Sequence, residues 1–320
     1  MNKNDLINIS KEIYLKKNNL KKLVKSGDLK KNITKYRVFI PKQFFDTSEE
    51  FQSDQWYFNG FILDLDGSLI LVDPGVDFYT RFTATGLSAN DIQTVIITHN
   101  HIDHTADTLV FLEKVLRNES KKITLYISDD AFKTKIPEYY QNKLKEAKHI
   151  IFHLLKDSGQ VQEYKILDRY PAKFIPLYHS CPDTFGFKID IDGKVFGYVT
   201  DTGYAIKVKT DLGNYDSDKT EGEFASIEEK HQYIKDFYSD VDIALVNINA
   251  LEYNKHSKYH LSGWDLLDLF KDSLVKQVLL QHISPVNAEG EDSNYLYKLF
   301  FGDQPYHLIL PHYLGRKLDL

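Results

Sequence analysis

Seven consecutive residues, Thr98-His99-Asn100-His101-Ile102-Asp103-His104, set the tightest limit on what this chain can fold into. They directly follow Thr94-Val95-Ile96-Ile97, an apolar run that reads as a buried strand. A strand with this ending carries three imidazoles and a carboxylate to one place at its C-terminal end. Nitrogen and oxygen donors of this kind suit zinc, manganese or iron. The whole chain of 320 residues holds twelve histidines, so three within six positions is a concentration that a plain solvated loop does not require.

Composition narrows the setting. A single cysteine, Cys181, excludes an internal disulfide framework and a cysteine-based zinc finger, and fits a reducing cytosol. No run approaches the roughly 18 apolar residues of a membrane span, and no leader-like apolar segment opens the chain, so the reading is a cytoplasmic protein with no membrane partner. Residues 1–35 hold ten lysines and three acids, a charge of +7. The whole chain carries −6, which leaves −13 for the rest. A body this acidic is a poor platform for long nucleic acid, whose binding depends on neutralising many phosphates. Arginine occurs at Arg37, Arg81, Arg117, Arg169 and Arg316, none beside the histidine motif, so no bidentate phosphate clamp is written in the sequence.

Along the chain, residues 1–35 read as a lysine-rich helical extension broken at Ser26-Gly27-Asp28, and residues 36–320 as the main domain. Trp56 to Leu65 and Ser68 to Val72 flank the hairpin signal Asp66-Gly67, and Asp73-Pro74-Gly75 ends the second strand. Helix is expected over Thr105 to Arg117, Asp129 to Ala147, Ile227 to Tyr238 and Ser262 to Lys271. The last opens on Ser262 and Asp265 at capping-box spacing. Strands are expected at Ile123 to Ile127, Phe174 to Tyr178, Thr184 to Ile191, Lys194 to Thr200, Val241 to Val246 and Val278 to Gln281. Residues 206–225 are polar and read as an inserted loop or lid. Hairpins followed by strand–helix alternation, twice over, predict an α/β chain of two mixed β-sheets packed together and flanked by helices.

Three more residues share the context of the histidine motif. His179 follows Phe174 to Tyr178, Asp201 follows Val195 to Thr200, and His282 follows Val278 to Gln281. Each is a ligand-type side chain at the end of an apolar strand, where burial is costly unless the group is paired or metal-bound.

Together these residues resemble the metallo-β-lactamase superfamily over roughly residues 55–312. The resemblance implies an αββα sandwich with metals at one edge. It implies that His99, His101 and His179 hold one ion, that Asp103, His104 and His282 hold a second, and that Asp201 bridges them. Asp73 matches an aspartate that supports the site from behind the ligands. Zinc is the default for two such ions, with manganese or iron as alternatives. In that arrangement a hydroxide bridging the metals attacks phosphorus or a carbonyl carbon, and Asp103 orients it. Cys181 has no place in the ligand set and reads as a structural thiol.

Two segments point to a branch. Tyr259-His260-Leu261-Ser262 resembles the His-x-Ser/Thr motif of the ribonuclease Z-like phosphodiesterases, where the histidine serves the scissile bond as an acid or phosphate contact. A leaving alkoxide needs a proton, which an imidazole can supply near neutral pH. Phe185-Gly186-Phe187-Lys188 and Gly197 to Gly203 are similar to the paired strands of the same branch, with Lys188 where arginine is common. Residues 118–172 hold one glycine and two prolines and lack the Gly/Pro-rich arm with which tRNA-processing members grip RNA. The expected substrate is therefore a small phosphodiester such as a cyclic nucleotide. A lactonase or thioesterase, a ribonuclease and a non-enzymatic binding protein are the rival readings. Related enzymes are often homodimers.

Overall fold

The computed structural model describes residues 36–40, 59–210, 213–214, 224–250, 257–282, 307–309 and 316–319. The expected helical extension over 1–35 lies outside the described residues.

One mixed sheet collects β1 (Tyr36–Ile40), β2 (Phe61–Leu65), β3 (Ser68–Val72), β4 (Ile92–Ile97), β5 (Ile123–Ser128) and β6 (Ile150–Leu155), with the later strand Arg316–Asp319 beyond β1. The β2–β3 hairpin turns at Asp66-Gly67 as the sequence predicts, and β3 to β6 run parallel. The second sheet collects β7 (Gln162–Ile166), β8 (Tyr170–Pro176), β9 (Phe185–Ile191) and β10 (Lys194–Val199) as antiparallel neighbours. It continues in parallel through Ile243–Ala250, Gln277–Gln281 and His307–Ile309.

Three apolar clusters fix the layers. Phe61, Leu63, Ile70, Val72 and Ile96 of the first sheet meet Phe174, Phe187, Tyr198, Leu245 and Leu279 of the second. The opposite face of the first sheet, Ile62, Leu71, Val95 and Ile97, packs on Phe78, Phe82, Phe111 and Leu112 from the helices Phe78–Ala84 (α1) and Thr108–Arg117 (α3), which flank the single turn Ile102–Thr105 (α2). The outer face of the second sheet packs on helices Gln232–Tyr238 and Gly263–Phe270. Strands covered on both faces read as continuous apolar runs, which is why they were legible in the sequence. The expected αββα sandwich is the fold. Phe185 and Phe187 are wholly buried sheet core.

The structure corrects the sequence reading in three places. The helix expected over Asp129 to Ala147 is two, α4 (Asp129–Lys135) and α5 (Glu138–Glu146). Ile136 precedes Pro137 and is extended at φ −96° and ψ 114°, because the proline ring disfavours helical backbone before it. The loop expected at 206–225 is, over its described residues, part of a small antiparallel sheet of β11 (Ala205–Thr210), β12 (Gly213–Asn214) and β13 (Phe224–Lys230). Val208 lies opposite Ile227, and Lys207 pairs with Glu228 at 2.8 Å, which binds the strands despite their polar composition. The helix expected from Ile227 consequently begins only at α6 (Gln232–Tyr238), where Ile234, Phe237 and Tyr238 supply its buried face. The remaining elements in chain order are β14 (Ile243–Ala250), β15 (Leu261–Ser262), α7 (Gly263–Phe270), β16 (Gln277–Gln281), β17 (His307–Ile309) and β18 (Arg316–Asp319). The capping box of α7 is present, with Ser262 and Asp265 each bonded to the other's backbone N–H. No helix among the described residues is long and apolar enough to cross a membrane.

Candidate metal centre

The C-terminal ends of β3, β4, β8, β10 and β16 meet along one edge of the sandwich, and each delivers a side chain singled out in the sequence. Asp73, directly after β3, adopts left-handed backbone at φ 46° and is fully buried. Its carboxylate accepts four donors: the Thr98 backbone N–H at 2.8 Å, the Thr98 hydroxyl at 2.7 Å, Tyr198 at 3.2 Å and His104 Nδ1 at 3.0 Å. A carboxylate behind a histidine fixes both its ring plane and its tautomer. With the proton on Nδ1, the Nε2 lone pair of His104 faces forward into the cluster.

The other rings are aimed by the same logic. His99 Nδ1 meets the Thr98 hydroxyl at 3.1 Å, leaving Nε2 forward. His179 Nδ1 donates to the Tyr259 carbonyl at 2.8 Å, and its Nε2 lies 3.1 Å from His101 Nδ1. Asp201 is held from behind by Asn247, whose Nδ2 donates to Oδ1 at 2.8 Å. His282, at φ 63°, places Nε2 3.0 Å from Asp103 Oδ2. Left-handed backbone in a residue other than glycine is strained and tends to mark functional positions.

Asp201 Oδ2 is the centre of the arrangement. It lies 3.3 Å from His104 Nε2, 3.5 Å from His282 Nε2, 3.7 Å from His99 Nε2, 3.7 Å from His260 Nδ1 and 3.9 Å from His179 Nε2. Yet Asp201 Oδ2 and His99 Nε2 are buried with no hydrogen-bond partner among the described residues. These spacings are long for hydrogen bonds. They suit ligand atoms around a shared ion, since a tetrahedral ion with ligands at ~2.0–2.2 Å holds them ~3.3–3.6 Å apart. The ligand-type atoms form groups within 4.8 Å of one another: His99, His101, His179 with Cys181; Asp103, His104, Asp201, His282; and His179, Asp201, His260. The donor set fits a divalent metal.

Charge supports the same fit. Asp103 and Asp201 are buried, which alone would raise their pKa, but His104 and His282 outweigh this and hold both well below the usual range. Burial would likewise lower His104 and His282, but the two carboxylates win and raise both. The field at this point therefore favours cations. His99, His101, His179 and His260 go the other way, because desolvation dominates: His179 is pushed down to about 4 and His260 to about 3. Neutral imidazoles are the form that binds metal.

Every candidate from the sequence thus converges: His99, His101, Asp103, His104, His179, Asp201, His260, His282 and, behind them, Asp73. Cys181 stands beside the first group, and burial pushes its thiol up to about 11. Sequence reasoning missed the residues that hold the carboxylates. Asn247 and Tyr198 belong to a buried network, with Asn247 Nδ2 3.3 Å from Tyr198 Oη. An asparagine inside the apolar run Ala244 to Ile248 was the available signal. Asn59 donates through Nδ2 to Asp103 Oδ2 at 2.8 Å, contacts His104 Nε2 at 2.9 Å, and accepts from Gln281 at 3.1 Å. Its carbonyl is gripped by the buried Arg81 at 3.1 Å. Gly60 makes this placement feasible: its φ is +105°, and a Cβ there would meet the Asp73 carbonyl at 2.4 Å. Asn59 falls within the strand expected over Trp56 to Leu65, whereas the described strand begins at Phe61, and nothing around Asn59 sets it apart.

Comparison with known proteins bears on the family and the fold. Over 237 residues the chain is 29% identical to a cAMP/cGMP-dependent 3′,5′-cAMP/cGMP phosphodiesterase B of Dictyostelium discoideum, covering 72% of this chain and 19% of the relative. It is 25% identical over 134 residues to a ribonuclease Z of Thermobifida fusca, 41% of each chain. The chain therefore spans well under two thirds of the length of these relatives. Among solved structures, the metallo-β-lactamase fold protein YhfI of Bacillus subtilis superposes with a TM-score of 0.61 at 15% identity, over 88% of this chain and 99% of the other. The short form of human tRNase Z superposes with a TM-score of 0.56 at 15% identity, over 88% and 98%. The family model described as the beta-lactamase superfamily domain matches residues 69–283, a span running from β3 to just past His282, and the chain belongs to that superfamily.

Proposed function

We propose that this chain is a dinuclear metal-dependent phosphodiesterase acting on a small phosphodiester, a cyclic nucleotide in the first place. His99, His101 and His179 would hold one divalent ion, Asp103, His104 and His282 the other, and Asp201 both. Ions so held supply a hydroxide at neutral pH and neutralise charge developing on the substrate oxygens.

The observation that carries the phosphodiester reading is the position of His260. Its ring centroid lies 5.0 Å from His179 and 5.5 Å from His282, and Nδ1 is 3.7 Å from Asp201 Oδ2. It therefore adjoins the ligand cluster while leaving the two three-residue ligand sets complete without it. A diester's leaving alkoxide needs a proton, whereas a thioester's thiolate leaves without one. Burial pushes the His260 imidazole down to about 3, so it is neutral in the free protein, and an anionic diester beside it would shift it toward the protonated form that an acid requires. Asp103 accepts hydrogen bonds from Asn59 and His282 and would orient the attacking water.

The relatives in both lines, a cyclic-nucleotide phosphodiesterase and a ribonuclease Z, support phosphodiester chemistry. The segment that would have to form an RNA-gripping arm, 118–172, is taken up by β5, α4, α5, β6, β7 and β8, which favours a small substrate over tRNA. The test is hydrolysis of bis(p-nitrophenyl) phosphate and of 3′,5′-cyclic AMP by zinc- and manganese-loaded protein, with a lactone and a thioester in parallel. Asp103→Ala should lose activity on both diesters. His260→Ala should lose about 10²–10⁴-fold on cyclic AMP and far less on the p-nitrophenyl ester, whose leaving group hardly needs a proton. Activity confined to the lactone or thioester and indifferent to His260 would overturn the proposal.

A further inference from the structure

Outside the ligand cluster the described surface carries a continuous aromatic ledge. Tyr178 precedes His179, and Tyr259 precedes His260. Their rings stack at 5.8 Å between centroids and 28° between planes. The His231 ring lies on Tyr178 at 4.8 Å and 31°, and Tyr233 abuts His231 edge-on at 5.8 Å. The ammonium of Lys258 stands 5.2 Å over the Tyr259 ring. Tyr178 is 38% exposed and Tyr233 45%, whereas most large aromatic side chains of the second sheet are buried in its cores. Aromatic surface left in water beside a polar cluster is unusual for stability alone and usual where a ligand covers it.

The ledge is built rather than incidental. Gly203, two residues after Asp201, donates to the Tyr178 carbonyl at 2.7 Å. A Cβ on Gly203 would fall 2.0 Å from the Lys258 carbonyl and 3.1 Å from the Tyr178 ring, so only glycine lets the 257–259 segment close against Tyr178. Tyr259 is tied to the cluster itself, since its carbonyl accepts the His179 Nδ1 proton at 2.8 Å. The ledge and the ligand cluster are thus tied together, the aromatic stack beginning one residue from two members of the cluster.

The geometry points to a nucleobase site: the base of a nucleoside monophosphate unit adds to the stack of His231, Tyr178 and Tyr259 over the exposed part of the Tyr178 ring, while its phosphate lies at the Asp201-centred cluster. This rests on the phosphodiester reading for its phosphate half only. Stacking is tolerant of base identity, because every base offers a π-face, so the site selects nucleotides over base-free phosphates without strict choice among bases.

The test is calorimetric binding of AMP and of ribose 5-phosphate to the zinc-loaded chain, which asks nothing of turnover. AMP should bind about 5- to 100-fold more tightly, the range expected for one stacked base. Tyr178→Ala should remove most of that advantage while leaving ribose 5-phosphate binding within twofold of the parent chain, an internal check that the cluster still folds. Tyr178→Phe should keep the advantage. Equal affinity of the parent chain for the two ligands, or equal loss of both on Tyr178→Ala, overturns the proposal. If the base advantage depends on Tyr178 but no diester is hydrolysed, the ledge stands and the phosphodiesterase reading falls. If diesters are hydrolysed with no base advantage, the reverse holds.

Discussion

The two sheets contribute to the same cluster by different means. The first supplies His99, His101, Asp103 and His104 from one short segment: Thr98 holds the His99 ring and Thr105 donates to the His101 backbone carbonyl at 2.8 Å, although the His101 ring itself meets His179 and Ser180 of the other edge at 3.1 and 3.3 Å. Asp73, from the adjacent strand, clamps His104 and the start of the segment together. The second sheet supplies His179, Asp201 and His282 from three separate strand ends, with His260 just before the short strand β15, and the first three are held from other elements. Tyr259 holds His179, Asn247 holds Asp201, and Asp103 reaches across to His282. The first edge is set by local chemistry, the second by the packing of the whole sandwich. Backbone and side-chain bonds stitch the edges, with Phe185 N–H donating to the Thr98 carbonyl at 3.1 Å and Thr98 and Thr200 hydroxyls 3.2 Å apart.

Asp201 is where the two edges share an atom, so its removal should have the largest effect. Asp201→Ala deletes the central oxygen and leaves the imidazoles without their common partner. Bound metal measured by mass spectrometry should fall from two ions to one or none, and diester turnover by more than about 10³-fold. Retention of two ions with activity within tenfold would break the picture of a single shared centre.

Next in size is the contrast between the clamps behind each edge. Asp73→Ala orphans four buried donors and frees His104, which should cost about 10–100-fold in metal affinity and ~1–3 kcal/mol of stability. Asn247→Ala removes one donor from Asp201 and should cost less on both counts. Zinc competition titrations and urea unfolding of the two variants make the comparison. An Asn247→Ala loss equal to that of Asp73→Ala would show that the second edge is clamped as tightly as the first.

This difference also explains what the sequence could reveal. The first edge is legible because its donors are adjacent and its strand is an unbroken apolar run. His179, Asp201 and His282 are legible only as a pattern, one polar residue at the end of each of three buried strands, made meaningful by the first motif. Asn59 was invisible, because its role is created by Arg81, Gln281 and the backbone of Gly60, all distant or featureless in sequence. The β11–β13 sheet does not read as strands because its pairing depends on Val208 meeting Ile227 and Lys207 meeting Glu228, residues about twenty apart in the chain, with few apolar residues to mark a strand period. The break in the α4–α5 pair is legible in Pro137, whose ring disfavours helical backbone at Ile136.

Acid should separate the two halves of the centre. His99, His101 and His179 have pKa values lowered by burial, so they stay neutral and ready to bind as pH falls. His104 and His282 are raised by Asp103 and Asp201, so protons compete for them at higher pH. Metal affinity at Asp103, His104 and His282 should therefore be constant above their pKa values and fall as pH drops through them, by about tenfold per pH unit for each displaced proton. The ion held by His99, His101 and His179 should persist to lower pH. Metal retention after dialysis across an acidic pH series should show two steps, and a single step for both ions would contradict the assignment.

The smallest effect should come from Asn59, which belongs to neither edge and touches both. Its amide donates to Asp103 beside His104, and Gln281, next to His282, donates to its oxygen. Asn59→Ala removes a hydrogen bond to a carboxylate that two imidazoles, His104 and His282, or an ion can still satisfy, so the loss is that of orientation rather than of a ligand. Affinity for the ion at Asp103, His104 and His282 should fall by about threefold to tenfold, near the net worth of one such bond, with the other ion unaffected. A zinc titration that resolves two classes of site would read this directly. If Asn59→Ala instead weakened both ions equally, or cost as much as Asp73→Ala, the bridge between the edges would be a structural support of the whole centre, and the division into a locally set edge and a packed one would have to be redrawn around it.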